Sequence, residues 1–200
     1  MNNNYINKNG KDTDQSVNAI PDGIKYSPTQ NEMASELADL LATYEYDRYV
    51  ESSSDRLKEF GPNCGLSEHV IQNFDPASIS WVTDRIGITA EDGVAQALHE
   101  GYFVINVARE ISNDAQVKQP VQYGSGRVVH NLIGISNILD NVLKTTDQKV
   151  VVHCAMGMER SVLTVVWYMA TKLGLTLDQA LKQVKKARPI ALNRLTWILG

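Results

Sequence analysis

The chain has little of what marks several protein classes. Two cysteines in 200 residues, Cys64 and Cys154, do not make a disulfide framework. A reducing compartment, the cytoplasm, is therefore expected. The longest apolar stretch, Val162 to Ala170, is far below the roughly 20 residues a bilayer span needs. The opening Met1-Asn2-Asn3-Asn4 offers neither a charged leader nor an apolar signal core. We therefore expect no integral membrane association. A formal net charge of −4 leaves no basic excess for nucleic acid and no polybasic cluster for anionic lipid. No internal repeat is evident. Acid is locally missing as well: between Asp114 and Asp140 there is neither Asp nor Glu.

What is present supports a folded domain. The hydrophobic content of 43% suffices for an ordinary core. Residues 1–28 are polar and punctuated by Pro21, Gly23 and Pro28, and read as a disordered arm. Residues 29–75 read as a helical extension packing on the domain C-terminal to it. Met33, Leu37, Leu40, Leu41 and Tyr44 share one helical face over 30–50, and a short second helix carries Leu57 and Phe60. From residue 76 strands and helices alternate. Strands are predicted over 81–88, 103–107 and 149–152, and helices over 91–100, 128–144, 161–173 and 176–187. Thr176 and Gln179 are placed for a capping box at the last of these. Alternation of this kind predicts an α/β domain, a central mainly parallel sheet flanked by helices.

The most informative segment is His153-Cys154-Ala155-Met156-Gly157-Met158-Glu159-Arg160-Ser161. An apolar strand precedes it and an apolar helix comes after. A tight loop there points backbone N–H groups into one concavity, where the helix N-terminus favours negative charge. Such a cradle fits a phosphate-sized dianion. It also lowers a thiol pKa from about 8.5 into the range of roughly 3.5–7.5. Arg160 would close the cradle with a planar fork matched to two phosphoryl oxygens. A buried hydrophobic cysteine is the plain alternative for Cys154. It gives no reason for an arginine at a helix N-terminus, where cations are disfavoured unless an anion is present. The chemistry implied is attack of a thiolate on phosphorus.

His-Cys-x5-Arg-Ser after an apolar strand resembles the signature of the cysteine-dependent protein tyrosine phosphatases, and the chain length resembles their dual-specificity branch. Ile79 to Ile88, Val104 to Glu110, and Leu175 to Leu199 with Ala187-Arg188-Pro189-Ile190 are similar to other parts of that domain, so the likeness covers about residues 78–200. It implies a three-layer phosphatase-like domain over 76–200, a phosphocysteine intermediate on Cys154, no cofactor and no metal. It implies that Ala155, Met156, Gly157, Met158, Glu159 and Arg160 surround the phosphate, and that His153 holds the loop. Ser161 would donate to the sulfur or, alternatively, cap the helix. The family draws its general acid from an Asp about thirty residues before the cysteine. Here that stretch reads Val121-Gln122-Tyr123-Gly124-Ser125-Gly126-Arg127. Glu159 is the first candidate to replace it, then Asp114 and His130.

A phosphorylated protein or peptide is the substrate the resemblance implies. A phosphoinositide is the alternative, although the loop carries no cation besides Arg160. An RNA 5′-phosphatase fits the acidic balance poorly. A non-catalytic phosphate-binding adaptor would not need the nucleophile. Cys64 could form a reversible disulfide with Cys154 or be an ordinary loop thiol.

Overall fold

In the computed structural model the described residues are 52–199, Ser125 excepted. The arm expected over 1–28 and the helix expected over 30–50 lie outside them. The short helix expected around Leu57 and Phe60 is α1, Ser53–Phe60. A 3₁₀ turn over Pro62–Cys64 and α2, Glu68–Asn73, come next.

The sheet has five strands: β1 Ser80–Trp81, β2 Ile86–Thr89, β3 Phe103–Asn106, β4 Val117–Lys118 and β5 Val150–His153. Their order is β1-β2-β5-β3-β4. Only β1 runs antiparallel to its neighbour; β2, β5, β3 and β4 are parallel. The mainly parallel sheet read from the sequence is thus the one observed.

The run 81–88, read as one strand, is two. Thr83 interrupts it, its Oγ1 accepting from the backbone N–H of Arg85 (3.3 Å) and Ile86 (3.0 Å). A threonine hydroxyl that satisfies backbone donors locally favours a turn over a ladder. The helix expected over 91–100 likewise begins as a 3₁₀ turn, Glu91–Gly93, before α3, Val94–His99.

β5 is central because its residues are apolar on both faces. Val150 and Val152 join the main core with Leu132, Ile135, Val162 and Val166, while Val151 packs with Val94, Ala97 and Val104. Successive side chains of a strand point to opposite faces, so an unbroken Val-Val-Val run needs helices on both sides. On one side lie α4 Val128–Thr145, α5 Arg160–Lys172 and α6 Leu177–Ala187; α3 covers the other. Thr176 and Gln179 form the expected capping box at α6, and α7, Thr196–Leu199, ends the described chain. The consequence for function is positional. β5 delivers residues 154–159 to the carboxyl edge of the sheet, and α5 starts immediately after them.

Candidate active site

The loop from Cys154 to Glu159 is held by its carbonyls. Ala155 O accepts from the N–H of Glu91 (3.2 Å), and Met158 O from that of Leu192 (2.8 Å). Arg188 donates from Nε to Gly157 O (2.6 Å) and from Nη2 to Met156 O (3.3 Å). Four consecutive carbonyls are therefore turned outward onto the scaffold. The peptide N–H groups must then face the other way, into the loop, which is the geometry an oxyanion requires.

Arg188 accomplishes this from a fully buried position. It also donates to the carbonyls of Pro76, Ser78 and Ile88 and to Ser80 Oγ. Burial pushes its pKa down to about 10, while the Cys154 and Asp75 charges act the other way. It stays cationic at neutral pH. Gly157, with φ +65°, makes the approach possible: a Cβ there would strike Arg188 Nη2 and come within 2.7 Å of Thr89 O.

At the loop's floor Cys154 is only 2% exposed. Burial by itself would raise the thiol pKa. The Arg160 charge, the Ser161 hydroxyl 3.3 Å from Sγ, and the backbone N–H groups of Ser161 and Glu159 outweigh it, so the pKa lies below the ordinary thiol value. Ser161 Oγ thus lies against the sulfur, and the start of α5 has no side-chain cap.

Arg160 donates through Nη1 and Nη2 to the Glu110 carboxylate, at 2.7 and 2.5 Å. Desolvation would weaken its charge, but the Glu110 hydrogen bonds and the nearby Cys154 raise its pKa above the usual arginine value. Burial likewise raises the Glu110 pKa, and Arg160 overcomes that to hold it below the carboxylate norm. The guanidinium is consequently oriented before any ligand arrives. Sequence reasoning gives Glu110 no role, because 50 residues separate it from Arg160 and nothing local signals the pairing.

His153 is buried beneath the loop. Asn113 Nδ2 stands 3.2 Å from its Nε2, while Asn113 Oδ1 accepts from Ala115 N–H (3.3 Å) and from Asn106 Nδ2 (3.4 Å). With the amide oxygen so engaged, its nitrogen faces the imidazole, and Nε2 is the acceptor. Desolvation first, and the Arg160 charge with it, lower the His153 pKa to about 4. The ring is neutral in the native state.

The three candidates for the leaving-group proton fall in different places. Glu159 accepts from Arg194 through both Nε (2.7 Å) and Nη2. Asp114 is exposed on the β3–β4 connection, and His130 is exposed on the first turn of α4. Met156 and Met158 pack in a separate apolar cluster with Leu57, Ile190 and Leu192. Cys64 is in that cluster too, Cys154 belongs to the main core, and both thiols are free. Among the described residues no group of three or more His, Cys, Asp or Glu is placed to hold a metal ion.

A thiol of lowered pKa, a preset arginine and an inward-facing backbone cradle at the end of a central parallel strand define the cysteine-dependent phosphatase class. Residues 95–198, just over half the chain, match the profile of the dual specificity phosphatase catalytic domain. The chain belongs to that family. It is 55% identical over 42 residues to Dual specificity protein phosphatase 1 of Arabidopsis thaliana, a segment that is 21% of each chain. It thus spans about a fifth of that relative's length. Human DUSP28 superposes with a TM-score of 0.54 at 19% identity, over 62% of this chain and 88% of the other. A mouse putative dual specificity phosphatase complexed with zinc tungstate does so with a TM-score of 0.53 at 20% identity, over 62% and 84%. At such identities the likeness is one of fold.

Proposed function

We propose that the chain hydrolyses phosphate monoesters of proteins, phosphotyrosine and/or phosphoserine and phosphothreonine, through a phosphocysteine on Cys154. The observation that carries this reading is the thiol of lowered pKa beneath an arginine oriented by Glu110. The Cys154 thiolate attacks phosphorus, and the S–P bond forms as the bond to the departing oxygen breaks. Arg160 and the loop N–H groups, from Ala155 to Arg160, bind the equatorial oxygens, and preorganised donors of this kind supply most of the stabilisation in phosphoryl transfer. Ser161 donates to the sulfur as it leaves when water attacks the phosphocysteine. His153 supports the loop from below.

A phosphoprotein substrate is favoured over a phosphoinositide by the loop's side chains. Met158 is buried against Leu57 and Met156 packs on the same cluster, so neither position offers a cation to a second phosphate. No described helix is long and apolar enough to cross a membrane. A thiolate enzyme suits a reducing compartment, and the cytoplasm is our proposed location.

The test is hydrolysis of p-nitrophenyl phosphate with EDTA present throughout, by the wild type and by Cys154→Ser. Turnover by the first and none by the second is expected. Equal turnover by both would remove the thiolate from the mechanism, and none by either would leave a phosphate-binding adaptor.

A further inference from the structure

The segment 188–194, directly after α6, grips the phosphate loop one residue after another. Arg188 holds the Met156 and Gly157 carbonyls, and the N–H of Leu192 donates to Met158 O (2.8 Å). Arg194 takes the last loop residue, and does so by its side chain. Its Nε (2.7 Å) and Nη2 both donate to Glu159 Oε1. Arg194 is itself braced. Its guanidinium lies 5.9 Å from the centre of the Trp197 ring, within cation–π range, and Trp197 packs on Tyr123 with ring centres 5.3 Å apart. Asn193 Oδ1 accepts from the N–H of Leu195 (3.0 Å) and fixes the turn that carries the arginine.

Glu159 is a carboxylate in a loop shaped for a dianion. It is also the residue that opens α5. Its carbonyl accepts the N–H of Leu163 (2.8 Å), the first bond of the helix, while its own backbone is not yet helical. The N–H groups of a first turn have no partner within their helix and attract negative charge. An acidic side chain at that position is drawn back onto them as a cap. Here no side chain caps α5, and the Glu159 carboxylate is on Arg194 instead. The donors it leaves open are those an anion needs: the N–H groups of Ser161 and Glu159 already act on the Cys154 sulfur.

We propose that Arg194 is a positioning residue that keeps the loop's own carboxylate, Glu159, out of the anion site, an assignment that rests on the phosphatase reading above. Released from Arg194, the Glu159 carboxylate competes with phosphate for the N–H groups at the start of α5. It also sets a fixed negative charge beside the thiolate. The loop thus carries its own inhibitory anion, and the packing of Arg194 between Glu159 and Trp197 withdraws it.

The experiment introduces Arg194→Met into the wild type and into Glu159→Ala. It measures the Kd of inorganic phosphate by titration calorimetry and the pH profile of Cys154 alkylation by iodoacetamide, read on the Cys154 peptide. Methionine keeps an unbranched apolar stem against Trp197. In the wild type the substitution is expected to raise the phosphate Kd about tenfold, the worth of one cap or helix-end charge set against the ligand. The alkylation profile should move to higher pH, because a like charge nearby disfavours the thiolate. In Glu159→Ala the same substitution should change the Kd by less than about twofold, since the two residues act as one pair. An equal rise in both backgrounds would make Arg194 plain loop scaffold, and no rise in the wild type would make Glu159 harmless; either overturns the assignment alone. A wild type that binds no phosphate would overturn the phosphatase reading itself, and this proposal with it.

Discussion

Gly157 turns the loop inside out. Its positive φ and missing side chain let Arg188 reach the Gly157 and Met156 carbonyls from the protein interior, and this reach keeps the N–H groups free for an anion. Gly157→Ala would strain a left-handed residue and displace a buried guanidinium. We expect a loss of at least about 2 kcal/mol in urea unfolding, the size associated with backbone strain and broken buried networks. We also expect KM for p-nitrophenyl phosphate to rise. An Ala variant with wild-type unfolding and KM would show that Arg188 can give way. Glu110 acts on the same loop from outside. Glu110→Gln leaves the shape but removes the charge that orients Arg160. One good orienting interaction is worth about a tenfold to hundredfold effect, and the fall is expected in kcat/KM with stability nearly unchanged. Unaltered kinetics would mean that Arg160 is positioned without its carboxylate.

Among the elements, α1 has the most direct line to the site. It is only eight residues long, too short to be helical by itself in water. Two anchors retain it: Asp92 accepting from Ser53 at its start, and Leu57 buried with Met158 of the loop. Truncating a buried leucine typically costs about 2–5 kcal/mol. Leu57→Ala should therefore loosen α1 and, through Met158, the loop. The expected signature is faster amide exchange over 53–60 and over 155–159, with β5 still protected. Exchange that quickens in α1 alone would uncouple the extension from catalysis. The sequence pattern shows helix formers around Leu57 but not their contact with Met158. That contact joins residues about a hundred positions apart, and hydrophobic periodicity carries no record of which core a helix face enters.

For the molecule as a whole, His153 ties stability to pH. Its native pKa of about 4 lies below the ordinary 6.5, so the unfolded chain binds the extra proton first. The neutral ring's contribution is intact above pH 6.5 and is lost as pH falls towards 4. By the linkage relation this amounts to about 3 kcal/mol. The urea midpoint should decline over that interval, and less steeply in His153→Gln. A parallel decline in the two proteins would assign the acid sensitivity to other groups. The Cys154 thiol adds a second pH effect: its lowered pKa, set against burial by Arg160 and the Ser161 hydroxyl, extends the thiolate to lower pH than an ordinary thiol allows.

Local chemistry carried much of this protein into its sequence. The Val150–Val152 run demands a buried strand, Cys-x5-Arg demands an anion, and Thr176 with Gln179 demands a helix start. Each of these depends on residues within a few positions of one another. Other features depend on residues far apart in the chain: Glu110 on Arg160, Arg194 on Glu159, Arg188 under Gly157, Glu91 beside Ala155. Charges in a sequence are interchangeable until folding sets their distances. Packing β2 and β3 on either side of β5 decides which arginine each carboxylate meets: Arg160 for Glu110 and Arg56 for Glu91.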